Sequence, residues 1–254
     1  MKHFQLAALL LLTLIACNKV DLTEPDPTVP TTAPKKLTGI SYADNKYLPT
    51  LISYDSKGRV VKVDDGDDVS TITYTGNEVH IVEFRKSENR EVFNFKGKLN
   101  SKGLLTEGGG TASYSGTVRQ EKYTMEYDAD GQMTRRIMDF NNGETIYEYR
   151  FTYQNGNLTG MEVYKNGVYD YSGVWEYDLN TKDWSGLNWN QFNTGNSFTG
   201  KTNKNLAKKY TGYRDGKVSW YADYVYTFDT AAYPVTNTVS ISNGNKYTLI
   251  YEFK

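Results

Sequence analysis

From Leu37 to the C-terminus, apolar and polar positions alternate with a period of two, interrupted at short intervals by turn-forming residues. The pattern is clearest between Gln120 and Tyr177. There Tyr147, Tyr149, Phe151 and Tyr153 fall on one side of a segment, and Glu148, Arg150 and Thr152 on the other. Such alternation predicts strands with one buried and one wetted face. Asp128-Ala129-Asp130-Gly131, Asn141-Asn142-Gly143, Asn155-Gly156 and Asn166-Gly167 separate the strands, and these residues accept the left-handed backbone of hairpin turns. The same alternation predicts strands over Leu51–Tyr54, Arg59–Val63, Thr71–Tyr74, Val79–Phe84, Val92–Phe95, Lys217–Phe228, Val235–Ser242 and Lys246–Phe253. Tyr210–Tyr213 makes another, and one more follows Gly103. No stretch carries a helical stripe, and Asn205–Tyr210 is expected to make one helical turn at most. The chain reads as an all-β antiparallel meander of roughly 14 to 16 strands.

Before Leu37 the pattern differs. Lys2 and His3 precede an almost uninterrupted apolar run from Phe4 to Ala16, 13 residues long, whereas a finished transmembrane helix needs about 20. This is the form of a secretory signal, so residues 1–16 are expected to be removed. The run ends Leu14-Ile15-Ala16-Cys17, which resembles the lipobox of bacterial lipoproteins. Cys17, the single cysteine of the chain, stands where that motif places the acylated residue. The resemblance implies lipid attachment at Cys17 and a membrane partner reached through that lipid. In such lipoproteins an Asp after the cysteine signals inner-membrane retention. Asn18 stands there instead, which implies the outer membrane. Asp21, Glu24 and Asp26 resemble the acidic tags that direct some of these proteins to the cell surface, and the choice between periplasmic and surface faces stays open.

Residues 17–36 carry Pro25, Pro27, Pro30 and Pro34 among threonines, a composition that builds no core and reads as an extended tether. Residues 37–254 follow without a second linker and fit a single domain. With one thiol, no disulfide can form within the chain. With 29 basic residues against 30 acidic ones, there is no electrostatic case for a nucleic-acid partner.

The hairpins also repeat. Tyr54, Tyr74 and Phe95 precede turns at intervals of 20 and 21 residues, and Tyr127, Tyr153 and Tyr177 at 26 and 24. Tyr54-Asp55-Ser56-Lys57-Gly58 and Tyr127-Asp128-Ala129-Asp130-Gly131 resemble the YD repeat of large secreted Rhs-type proteins. In both, Asp caps the turn, Gly takes positive φ and the ring packs on the sheet. A lipobox, a Pro/Thr tether and a run of Tyr-Asp-x-x-Gly hairpins are together similar to small Gram-negative lipoproteins of unknown function with a porin-like β fold. That resemblance implies a meander curled into a barrel or half-barrel. The irregular repeat length leaves two packed sheets as the alternative, and the resemblance brings no catalytic residues.

Candidate chemistry is sparse. After signal removal His80 is the one histidine, set between Val79 and Ile81 in a strand, which leaves neither a multi-histidine metal site nor a Ser–His mechanism with support. No cofactor or metal is expected. Carboxylate pairs are the remaining route to catalysis; with Glu148, Glu162 and Glu176 on neighbouring hairpins, a carboxylate-based glycan hydrolase is the enzymatic alternative. Asp64-Asp65-Gly66-Asp67-Asp68 lacks the spacing and closing Glu of a calcium loop and reads as a solvated acidic tip.

Aromatic residues are the excess: 22 Tyr, 10 Phe and 4 Trp make 14% of the chain, which directs attention to ring chemistry. Alternation places Tyr169, Tyr171, Trp175 and Tyr177 on one face, and Trp220, Tyr224, Tyr226 and Phe228 on another. Inside a wide barrel such faces form a core or line a cavity for a glycan or apolar ligand. Asp178–Lys209 lacks periodicity and is long for a loop. It carries the candidate ligand-binding residues Trp184, Trp189 and Phe192 among Asn, Thr and Gly, flat rings beside amides. Trp189, flanked by Leu187 and Phe192, is expected to plug the barrel, and Trp184, in a wetter setting, to touch ligand. The terminal Tyr251-Glu252-Phe253-Lys254 resembles the Tyr-x-Phe end of outer-membrane barrels, so a membrane-inserted barrel is a further alternative. Charged strand faces and a mean hydropathy of −0.64 oppose it. The chain is thus expected to be a non-enzymatic, lipid-anchored envelope protein, a binding or structural module.

Overall fold

The computed structural model describes residues 35–114, 116–186 and 197–254; Cys17, Trp189 and Phe192 lie outside them. Among the described residues sixteen strands follow one another. The first eight are β1 (Leu37–Tyr42), β2 (Thr50–Tyr54), β3 (Val60–Asp64), β4 (Asp68–Thr75), β5 (Glu78–Arg85), β6 (Arg90–Leu99), β7 (Leu105–Tyr114) and β8 (Thr117–Tyr127). The second eight are β9 (Met133–Phe140), β10 (Thr145–Gln154), β11 (Asn157–Lys165), β12 (Val168–Lys182), β13 (Asn205–Arg214), β14 (Lys217–Phe228), β15 (Pro234–Ile241) and β16 (Lys246–Phe253). Each pairs antiparallel with its sequence neighbours, and β1 pairs with β16, closing the barrel. A closed barrel is formed, not a half-barrel or two packed sheets. Pro34–Lys254 make one compact unit, and its closing pair β1–β16 begins at Leu37.

Alternation sorts the side chains between wall faces. In β8, Glu121, Tyr123 and Met125 are buried while Gln120, Lys122, Thr124 and Glu126 are exposed. Tyr147, Tyr149, Phe151 and Tyr153 of β10 all pack into the interior cluster, together with Phe95, Leu105, Met133 and Val163. Over β8 to β10 the outer wall is charged, while Val174, Tyr221 and Val225 stand exposed on the outer face of β12 and β14. Arg135 bridges Glu126 and Glu148 at 2.9 Å each, and Arg150 reaches Glu148 at 2.8 Å.

Three local expectations are corrected. Asn205–Tyr210 belongs to β13, because its alternation continues against Trp175–Tyr177 rather than turning. Phe95 lies mid-strand in β6, and the turn follows Leu99. Tyr169 faces outward: Val163 pairs with Tyr171 but Tyr164 pairs with Tyr169, so Asp170 is an inserted bulge residue that reverses the alternation before it.

Antiparallel order places the connections after even-numbered strands, and both described chain ends, at one end of the barrel. There Tyr54, Tyr74, Tyr127 and Tyr177 donate to the carbonyl oxygens of Leu37, Val60, Leu105 and Leu158 at 2.7, 3.1, 2.8 and 2.7 Å. Each hydroxyl ties its strand to the preceding one. Asp55, Asn100, Asp128 and Asp229 cap the turns by accepting backbone N–H groups two or four residues further on.

The connection from β12 to β13 is shorter than the aperiodic stretch in the sequence, because β12 runs on to Lys182 and β13 begins at Asn205. Its described return half crosses the same end. Phe198, in the 3-10 turn Ser197–Thr199, is 2% exposed and meets the Tyr74 ring edge-on at 6.2 Å. Lys201 and Lys204 donate backbone N–H to the carbonyls of Gly131 and Gly156, and Asn203 accepts from Leu158 N. This end is plugged.

Candidate functional site

Toward the far end, β11 to β14 build a cup on the inner wall. Register sets Trp175 opposite Tyr210 and Gly173 opposite Gly212, with Gly212 opposite Trp220 in turn. The two glycines leave bare backbone, and the neighbouring rings lie against it. A Cβ on Gly173 would stand 2.5 Å from the Tyr210 hydroxyl, and one on Gly212 2.9 Å from Trp220 Nε1. Trp175, Tyr210 and Trp220 form a continuous run with successive ring centroids 4.6 Å apart. Tyr210 is buried in the middle, whereas Trp220 keeps 45% of its surface exposed.

These rings line a cavity of about 570 Å³, completed by Met161, Tyr171, Tyr224, Ser219 and Arg214. Bulges supply its polar edge. Asp170 accepts a hydrogen bond from Arg214 Nη2 at 3.1 Å, and Ser219 is the inserted residue between the Gly212–Trp220 and Tyr213–Val218 pairs. Burial pushes the Tyr171 and Tyr224 phenols up to about 12, so both stay neutral at physiological pH. The cup thus offers flat apolar faces, neutral hydroxyls and one guanidinium–carboxylate pair. That combination orients a ligand bearing both C–H faces and hydroxyl groups.

A second cavity, of about 730 Å³, lies at the plugged end and is lined by Lys35, Lys36, Lys102, Lys201, Tyr54 and Trp184, among others. Trp184 is half-buried there, 5.0 Å from the Tyr233 ring and with Lys182 Nζ 3.6 Å from its own centroid. Beside it, Asp183 accepts from Ser185 N and Oγ at 2.8 and 2.6 Å. Burial near Tyr177, Tyr226 and Tyr251 pushes its carboxyl up to about 6.

The remaining candidates are dispersed. His80 is on the outer wall, its Nε2 3.0 Å from Asn94 Oδ1. Glu148, Glu162 and Glu176 also face outward: Glu148 is held by Arg135 and Arg150, Glu162 accepts from the Tyr164 hydroxyl, and Glu176 sits 3.6 Å from Lys208. In the acidic tip Asp64 takes Lys62 and Lys86, Asp65 caps the turn, Asp67 takes Ser87 and Asp68 takes Arg85. Among the described residues no group of three or more His, Cys, Asp or Glu side chains is placed to hold a metal ion.

The aromatic pattern pointed to Trp175 and Trp220 but not to Tyr210, nor to the union of the three. Gly173 and Gly212 were the signal: glycine inside a strand marks a close approach, here of a ring.

No protein-family model and no curated protein matches the chain. Solved structures do. A porin-like protein from Bacteroides uniformis ATCC 8492 is similar at a TM-score of 0.66 and 14% identity, covering 88% of this chain and 99% of its own. A porin-like protein from Bacteroides vulgatus ATCC 8482 is similar at 0.64 and 14%, covering 87% and 99%. At that identity the likeness is one of fold.

Proposed function

We propose that this chain is a lipid-anchored outer-membrane protein whose barrel stands in water and binds a saccharide without transforming it. The observation that carries this reading is the Trp175–Tyr210–Trp220 run, in which Tyr210 and Trp220 lie against glycine-bare wall and all three rings line a cavity. Rings needed only as core would be enclosed on both faces; Trp220 presents one to the cavity. A pyranose stacks its C–H face on such a ring, and its hydroxyls meet Arg214, Asp170 and the two neutral phenols. The outer wall supports a barrel in water: Arg135 and its two carboxylates occupy the surface that a spanning barrel gives to an apolar band. The lipobox at Leu14–Cys17 supports the anchor, and the barrel's likeness to porin-like proteins accords with the envelope.

A glycan array probed with the whole mature protein tests the binding, and palmitate labelling of the Cys17→Ala variant tests the anchor. Retention of a glycan by the wild type, lost in Trp220→Ala with the melting temperature nearly unchanged, is expected. Turnover of the bound glycan would replace this reading with the carboxylate-based hydrolase. Unchanged retention in Trp220→Ala would remove the cup from it. Labelling of Cys17→Ala equal to wild type would remove the anchor.

A further inference from the structure

We propose that the plugged end of the barrel is a docking face for an anionic lipid surface. Lys35, Lys36, Lys102 and Lys201 line its cavity against one acid, Asp130. Lys57, Lys204 and Lys254 stand in the connections and chain end on the same side. Of the other acids in this end's connections, Asp55 is bound by Arg59 at 2.7 Å, Asp128 and Asp229 cap their turns, Asp229 also lying 3.8 Å from Lys35 Nζ, and Asp183 is turned inward. The far-end connections carry the opposite balance, with Asp44, Asp65, Asp67, Glu88, Glu144 and Asp215 against Lys46 and Lys86. The connections at the two ends thus carry opposite charge balances in a chain with almost no net charge.

Three further features select a lipid surface as the occupant. Residues 1–34 join the barrel at Lys35, on this face. Trp184 and Tyr54 line the same cavity, and such amphipathic rings settle at headgroup level. The lysines are spread over an N-terminal segment, two turns and the plug, which suits a field of phosphates better than one anion. Docked this way, the aromatic cup faces away from the membrane. The charges belong to the barrel itself, so the inference does not require acylation of Cys17.

The fragment Lys35–Lys254, which contains every residue of the closed barrel, is sedimented with vesicles of phosphatidylglycerol mixed with phosphatidylcholine and with phosphatidylcholine alone. Partition into the anionic vesicles only, falling as salt rises, is expected. Lys102→Gln and Lys201→Gln, with circular dichroism confirming their fold, each weaken it about fivefold, and Lys46→Gln at the far end leaves it unchanged. Equal partition into both vesicles, no partition at all, or an equal loss in Lys46→Gln overturns the proposal. Inorganic phosphate competing beyond ionic-strength-matched chloride overturns it too, in favour of a single-anion pocket. Because the fragment lacks Cys17, these outcomes and those of palmitate labelling fall independently.

Discussion

Asp183 stands in the chain between Lys182 and Trp184, and by its neighbours it belongs to a wet loop. The barrel instead folds its carboxyl in beside Tyr177 of β12, Tyr226 of β14 and Tyr251 of β16, leaving Ser185 as its hydrogen-bond donor. Burial penalises the charged form, so the folded state holds the proton up to a pH of about 6 against 3.8 in the free chain. Between those values the folded state binds more protons than the unfolded one. Stability is therefore complete below the lower value and is lost as pH rises to the upper, by up to about 3 kcal/mol. Asp183→Asn keeps an acceptor for Ser185 and carries no charge. Thermal melts should show it more stable than wild type at neutral pH and equal to it below the free-chain value. A constant difference across that range would contradict the burial.

The plug is an element whose weight can be measured. Phe198 has almost no exposed surface, its carbonyl faces the Tyr127 hydroxyl at 3.5 Å, and its ring meets Tyr74. Removing a buried ring costs about 3 to 5 kcal/mol, so Phe198→Ala should lower the melting point by roughly 6 to 20 °C for a barrel of this size. Trp184 is half-buried at the rim of the same end, and its replacement by Ala should cost less. A smaller loss for Phe198→Ala than for Trp184→Ala would reverse the assignment of plug and rim. Asn157 and Asn205 fasten the strap beside it through paired side-chain and backbone bonds at 2.8 and 2.9 Å. Asparagine spacing alone does not announce such a clasp, since its two halves are 48 residues apart.

For the whole molecule, closure is the property on which the rest depends. β1 meets β16 over Leu37–Tyr42, and the chain ends are further tied by Lys36 and Lys254 exchanging backbone hydrogen bonds at 2.7 and 3.0 Å. Closing the barrel removes both sheet edges, which otherwise present unpaired N–H and C=O groups to other chains. A chain shortened before Lys246 leaves β1 and β15 as edges. It should associate with rising concentration in sedimentation velocity, where the full barrel stays monodisperse. A truncated chain that remained monomeric and folded would show closure to be dispensable.

Much of this architecture is local and was legible along the chain. A period of two decides which side chains share a face, and turns at Asn155-Gly156, Asn166-Gly167 and Asp215-Gly216 demand residues tolerant of positive φ, which these positions adopt. Strand, turn and the inward row of Tyr147, Tyr149, Phe151 and Tyr153 follow from those two constraints. Closure did not, because pairing β1 with β16 depends on the number, tilt and stagger of all sixteen strands together. Nor did the bulge at Asp170, since one inserted residue moves Tyr169 to the opposite face without altering the composition of the segment. The cup required both: registers across β12, β13 and β14 bring Trp175, Tyr210 and Trp220 together over Gly173 and Gly212. Periodicity sees one strand at a time, and a binding surface is made between strands.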